Sequence, residues 1–157
     1  MSLDNTGAQY FYAEAQPATH DTTGFEALTW VRVNGYTGGH QFGREGSFGE
    51  VMDVSTGEMI GYKSSKSGVE SEAAFYNVDG DTGQAALRAF SETCQGAGSI
   101  KIGYGACDGE TLSTGDVVKY ATAVFAEGPD NEVGEENQGF KVKTRQVGKT
   151  VTGTEPA

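Results

Sequence analysis

The sequence shows few of the features that are typical of secreted, zinc-binding or membrane-spanning proteins. Its two cysteines, Cys94 and Cys107, cannot form a disulfide framework, and their separation matches no zinc-binding pair. The first residues, MSLDNTGAQ, contain neither a basic n-region nor an apolar h-region, and no later run is apolar enough to span a bilayer. We therefore expect a protein without membrane partners that is made in cytosol-like surroundings, with both thiols reduced.

Catalytic motifs are also missing. The sequence has no G-x-S-x-G elbow and no other arrangement of nucleophile, base and acid that indicates covalent catalysis. The segment GSFGEV at residues 46–51 is similar to the end of a kinase glycine-rich loop, but Arg44 stands in place of the leading glycine and no further kinase motif follows. We predict that the protein is not an enzyme.

A calcium-like pattern has a simpler explanation. Asn77, Asp79 and Asp81 alternate like the first ligands of an EF-hand, but Thr82 and Arg88 occupy the positions that require glycine and glutamate. A turn followed by a helix cap accounts for the same residues, and the two histidines have no ligand-like spacing. We predict no metal and no cofactor.

Basic residues are scarce relative to acidic ones. The 157 residues contain 11 Lys and Arg against 22 Asp and Glu, which gives a formal net charge of −11. This length suits a single domain covering residues 1–157, and exposed acidic surface repels nucleic acid. Residues 128–139 are predicted to form an acidic loop.

Short β-branched and aromatic runs between many of the 24 glycines predict a mainly β fold. The predicted strands cover residues 8–15, 29–33, 48–63 (a hairpin), 69–78, 99–104, 116–127 and 140–151.

One helix is predicted, at residues 82–95. Asp81 can cap its N-terminus with Gln84 completing a capping box, and Gly96 can end it. A narrow apolar stripe would pack the helix against a sheet. The stripe consists of Ala86, Leu87, Phe90 and Cys94.

Five glycines fall among the fourteen residues 36–49, without apolar periodicity. This composition predicts a long loop or arm. Phe42 and Phe48 are its isolated aromatic residues, and we expect them to anchor the arm on a neighbouring subunit.

The hairpin that follows has no cleanly apolar face. Ser55, Thr56 and Gly57 suit a short turn, and pairing Val54 with Glu58 mixes acidic and apolar residues on the same face. Such a hairpin is half buried, or is buried only on assembly.

In its order of segments the chain resembles the major tail tube proteins of long-tailed bacteriophages (siphophages). The resemblance rests on the aromatic N-terminal strands, the glycine-rich loop leading into GEVMDVSTGEMIGYKSSKSG, then ESEAAFYNVDGDTGQAALRAF, and finally VVKYATAVFAEG ahead of GFKVKTRQVGKTVTGT. It covers most of the chain, although no single short motif is diagnostic. The ring-forming tube subunits of type VI secretion share the fold but are less similar in their loops.

The resemblance implies a β-sandwich or half-barrel with one flanking helix. Six copies would form a ring whose inner sheets close into one barrel, and stacked rings would form the virion tail tube, assembled in the host cytoplasm. The implied partners are further copies of the chain, the tape measure protein and genomic DNA in the lumen, and the tail terminator and tail tip proteins. A different hypothesis is a carbohydrate-binding β-sandwich, in which Trp30 and the seven tyrosines form a stacking platform.

A DNA conduit should repel its cargo, because each cation that neutralises a phosphate adds binding that must be broken. The predicted lumen is therefore mainly acidic, and its candidate residues are Glu50, Glu58, Glu70 and Glu72. The alternative is that they point outward and keep the particle soluble. Lys141, Lys143 and Arg145 alternate along the last strand, where we expect them to pair with neighbouring carboxylates.

Overall fold

The computed structural model describes residues 6–94, 96–106, 111–130 and 139–156, and it is mainly β with a curled, half-barrel sheet. Its elements are β1 Thr6–Ala13, α1 Thr22–Glu26, β2 Val31–Val33, β3 Tyr36–Gly38, β4 Arg44–Asp53, β5 Glu58–Gly68, β6 Glu70–Tyr76, α2 Thr82–Ser91, β7 Ala97–Ala106, β8 Val117–Asp130 and β9 Gly139–Thr154.

Seven strands form one antiparallel sheet in the order β2-β1-β7-β8-β9-β6-β3. The two outermost strands have three residues each, so they leave little edge for another chain to pair with. The remaining strands, β4 and β5, pair with each other in a separate two-stranded sheet.

The main core lies on the face of the sheet that α2 covers. Alternate residues of each strand point to this face, and the register places Tyr10 beside Ile102 and Phe75 beside Phe140. Leu87 of α2 is fully buried among them, and the rings of Phe75 and Phe140 stack with centroids 5.1 Å apart. Tight aromatic packing on this face supplies most of the apolar burial that holds the subunit together.

A smaller core lies on the opposite face, under α1. Phe25 stacks on Tyr120 at 5.2 Å, and Trp30 donates its indole N–H to the carbonyl oxygen of Phe25. Lys101 is buried beside them and pairs with Glu155 at 2.7 Å, which ties the end of the chain to the sheet.

The structure corrects the prediction of a single flanking helix, because α1 covers one face and α2 the other. α1 has five residues, which is too short to show a helical apolar period. The sequence feature that marks it is Asp21, whose carboxylate caps the helix by accepting a hydrogen bond from the backbone N–H of Gly24.

Asp81 caps α2 as predicted, accepting from the N–H of Gln84 at 3.1 Å. The side chain of Gln84, however, does not complete a capping box. It accepts from the N–H of Val78 and donates to the carbonyl oxygens of Asn34 and Tyr76, which fastens the helix to the sheet.

α2 ends at Ser91, four residues earlier than predicted. The hydroxyls of Ser91 and Thr93 donate to the carbonyl oxygens of Arg88 and Phe90, which satisfies the last turn with side chains. Cys94 therefore lies beyond the helix, exposed, with a free thiol. Cys107 and residues 131–138 of the predicted acidic loop lie outside the described residues.

Candidate assembly surface

The β4–β5 hairpin exposes large apolar side chains on both of its faces. Seven such residues in the hairpin are between 48% and 86% exposed, a larger group than anywhere else in the described residues. They are Phe48, Val51, Met52, Val54, Met59, Ile60 and Tyr62. A cluster of this kind is larger than a monomer usually exposes, which makes the hairpin a candidate interaction surface.

The hairpin register differs from the predicted one by one residue. Asp53, rather than Val54, pairs with Glu58, because the turn has four residues and its Gly57 N–H bonds back to the carbonyl oxygen of Asp53 at 2.7 Å. Gly57 has a φ of +73°, as the predicted turn requires.

The observed register sorts the apolar residues onto both faces. Val51, Ile60 and Tyr62 share one face, and Phe48, Met52 and Met59 share the other, where Lys63 lies opposite Phe48. Glu50 and Glu58, predicted to face one lumen together, fall on opposite faces of the hairpin. At most one of these two glutamates can face a given side of an assembled sheet.

The expected long loop at residues 36–49 is wrong for most of its length. Tyr36–Gly38 forms β3 and Arg44–Asp53 forms β4, so residues 39–43 remain as the connection. Glycine has a low strand propensity, so the glycines of β4 obscured the strand in the sequence. The ring of Tyr62 lies over Gly49, where a Cβ would project.

Three hydrogen bonds close the base of the hairpin, and two of them fix it to the half-barrel. Val69 donates its N–H to the carbonyl oxygen of Gly43, and Gln146 of β9 donates to the carbonyl oxygen of Val69. The side-chain oxygen of Gln146 accepts from the N–H of Gly43 at 2.8 Å. Ten paired positions extend from this base, so the hairpin reaches about 30 Å from it.

Phe42, a predicted anchor for a neighbouring subunit, packs within its own subunit. Its ring meets His40 edge to face at 4.5 Å, and both lie against the main core. The other predicted anchor, Phe48, is 85% exposed and is free to contact a neighbour.

His40 is a half-buried polar residue near the base of the hairpin. Its Nδ1 lies 3.1 Å from the hydroxyl of Ser71, and its Nε2 has no hydrogen-bond partner among the described residues. Burial lowers the pKa of His40 from its ordinary 6.5 to about 4, so the ring is neutral at physiological pH.

Glu70 and Glu72, the other two lumen candidates, share a face with their basic partners. The register places Glu70 opposite Arg145 and Glu72 opposite Lys143, and Arg145 Nη1 lies 3.4 Å from Glu70 Oε1. The predicted pairing with a neighbouring carboxylate is confirmed for Arg145, whereas Lys141 lies opposite Ala74. The exposed face is a ladder of alternating charge beside Val124, and not a purely acidic wall.

Aromatic side chains do not gather on an open platform. Tyr10, Tyr12 and Tyr120 are fully buried, and Trp30 packs tilted against Tyr120 at 5.8 Å. Tyr62 and Tyr76 are about half exposed, one on the hairpin and one at the end of β6.

Other kinds of site find little support in the described residues. These residues contain no group of three or more His, Cys, Asp or Glu side chains placed to hold a metal ion. Neither helix found among them has the length and apolar character needed to cross a bilayer. No protein-family model matches the chain, and no curated protein matches it either.

Proposed function

We propose that the chain is a structural, non-enzymatic subunit that assembles with copies of itself into rings, and that stacked rings form the tail tube of a bacteriophage. The observation that carries the proposal is the β4–β5 hairpin, with large exposed apolar residues on both faces. An isolated two-stranded hairpin is marginally stable in water, so this one needs additional strands or a covering surface.

Copies of the same chain suit this need. Both long edges of the hairpin carry unpaired backbone groups, because β4 and β5 pair only with each other among the described strands. Hairpins from adjacent subunits can pair edge to edge, and closure of such a sheet into a barrel removes every free edge. Each apolar side chain buried in this way contributes roughly 1–2 kcal/mol.

A tube for DNA is favoured over other rings by charge and by the sequence resemblance. Every subunit adds a formal charge of −11, so an assembled wall repels DNA overall. The face with Glu70 and Glu72 also carries Lys143 and Arg145, so acidic excess in the lumen has to come from other carboxylates, such as one of the two hairpin glutamates. Tape measure protein, tail terminator and tail tip proteins are the further partners of such a tube.

The carbohydrate-binding alternative is less well supported. It needs aromatic rings exposed side by side, whereas Trp30 and three of the tyrosines are packed into the two cores. It predicts a monomer that binds sugars, and the same experiment distinguishes the two functions.

The test compares the wild type with a variant in which Arg44–Gly68 is replaced by a short Gly-Ser linker. The ends of this segment are adjacent, since Val69 N–H bonds to the Gly43 carbonyl oxygen, so the half-barrel can fold without it. Electron microscopy and native mass should show six-membered rings or tubes for the wild type and a folded monomer for the variant. A wild type that stays monomeric at high concentration, or a variant that still forms tubes, contradicts the proposal.

A further inference from the structure

Four basic side chains line one groove at the base of the hairpin, with a volume of about 410 Å³. We call it the basic groove, and its basic residues are Arg44, Lys63, Lys66 and Lys149. They come from three strands, since β4 provides the arginine, β5 provides two lysines and β9 provides the last. More than a third of the 11 basic residues of an acidic chain are thus gathered at one place.

The basic groove contains no compensating carboxylate. No acidic side chain lines it, and no described carboxylate forms an ion pair with any of its four basic residues. Repulsion from Lys63, and then from Arg44, lowers the pKa of Lys66. Four like charges held together without a counter-charge favour the binding of an anionic partner.

The same chain carries a complementary sequence. Residues 127–136, EGPDNEVGEE, contain five carboxylates and no basic residue, and we call them the acidic segment. Asp130, within the acidic segment, pairs with Phe140 of β9. Lys149 lies nine residues beyond Phe140 along β9, a distance of about 30 Å. Lys149 is therefore remote from Asp130 within one subunit, and a second copy can bring a groove and an acidic segment together.

We propose that the basic groove receives the acidic segment of a second copy of this chain. The inference rests on the proposed self-assembly and identifies a contact that directs it. Groove and segment are different parts of the subunit, so the contact can repeat head-to-tail from copy to copy, and repeated contacts of this kind generate closed rings or open helices. Opposite charges also offset the repulsion between strongly acidic subunits and fix their register.

Charge reversal on each side of the contact tests the proposal. The first, the groove-reversed chain, carries Lys66→Glu with Lys149→Glu in the basic groove. The second, the segment-reversed chain, carries Glu135→Lys with Glu136→Lys in the acidic segment. A control chain carries Glu26→Lys with Asp79→Lys, which changes the net charge as the second chain does. Glu26 and Asp79 are exposed and lie outside both surfaces. Circular dichroism and thermal unfolding verify that every chain is folded.

Each reversed chain alone should need more than about tenfold higher concentration than the wild type to assemble, because like charges then face each other. An equal mixture of the two reversed chains should assemble again, with both present in equal number by native mass. The control chain should assemble alone and should fail to rescue the groove-reversed chain.

The proposal is overturned if the groove-reversed chain assembles like the wild type, or if the control chain rescues it equally well. Binding of duplex DNA that depends on Lys66 and Lys149, with assembly unchanged by their reversal, also overturns it and assigns the groove to phosphate. In each of these cases the wild type still forms rings, so the proposed function stands. A wild type that never assembles overturns both.

Discussion

In the half-barrel several large aromatic residues are fully buried, on both faces of the sheet. In the hairpin every large apolar residue is about half exposed or more. The half-barrel contains Tyr10, Tyr12, Phe75 and Tyr120 at no more than 1% exposure, covered by two short helices. The hairpin has comparable apolar residues and no covering element. Under the proposed function the difference separates two tasks, in which one region makes a folded subunit and the other makes that subunit associate.

The largest effect on stability is expected when a core aromatic residue of the half-barrel is truncated. Phe75→Ala should lower the free energy of unfolding by about 3–5 kcal/mol, because Phe75 packs against Tyr10, Tyr36 and Phe140 and truncation leaves a cavity. Phe48→Ala in the hairpin is the matched control and should change monomer stability by less than about 0.5 kcal/mol. Urea unfolding of the monomer measures both, and similar losses would remove the distinction between the two regions.

A pH effect is expected where the two regions meet. The folded-state pKa of His40, about 4, lies below its ordinary 6.5, so the folded subunit binds fewer protons than the unfolded chain between these values. The stability that depends on a neutral His40 is fully present above pH 6.5 and is lost as the pH falls through 4. The free energy of unfolding then decreases by up to about 3 kcal/mol.

The control for this effect is His40→Phe, which keeps an aromatic ring between Phe42 and Tyr10. Urea unfolding at a series of pH values should show a steeper loss for the wild type than for the variant between pH 6.5 and 4. Parallel curves would mean that His40 is not desolvated at the hairpin base.

The smallest effect is expected for the exposed ion pair of the charge ladder. Arg145 and Glu70 are both more than half exposed, so their coupling in a double-mutant cycle should be below about 0.5 kcal/mol in the monomer. A coupling well above 1 kcal/mol would show that this face is desolvated within the subunit, contrary to its placement on an open surface.

The sequence predicted the half-barrel better than the hairpin, for a physical reason. Strands of the large sheet alternate apolar and polar residues against a core of their own chain, and the N-cap at Asp81 is a local signal. In the hairpin, the glycines of β4 lowered its apparent strand propensity. The four-residue turn shifted the strand register by one position from the predicted pairing. Apolar residues on two faces look the same in a sequence whether the same chain or a neighbour covers them.

The basic groove was beyond sequence reasoning for a similar reason. Arg44 and Lys149 are more than 100 residues apart, and no spacing rule predicts that β4 and β9 meet at the hairpin base. The short helix α1 was not predicted from the sequence because five residues cannot display a helical period.

Amide hydrogen exchange on the wild type, above and below its assembly concentration, tests the central claim that neighbouring copies complete the hairpin. Edge-to-edge pairing predicts that amides of Arg44–Asp53 and Glu58–Gly68 exchange about a hundredfold more slowly in the assembly, while the interior strands β7 and β8 change little. Assembled rings in which the hairpin amides exchange as fast as in the monomer would contradict the claim.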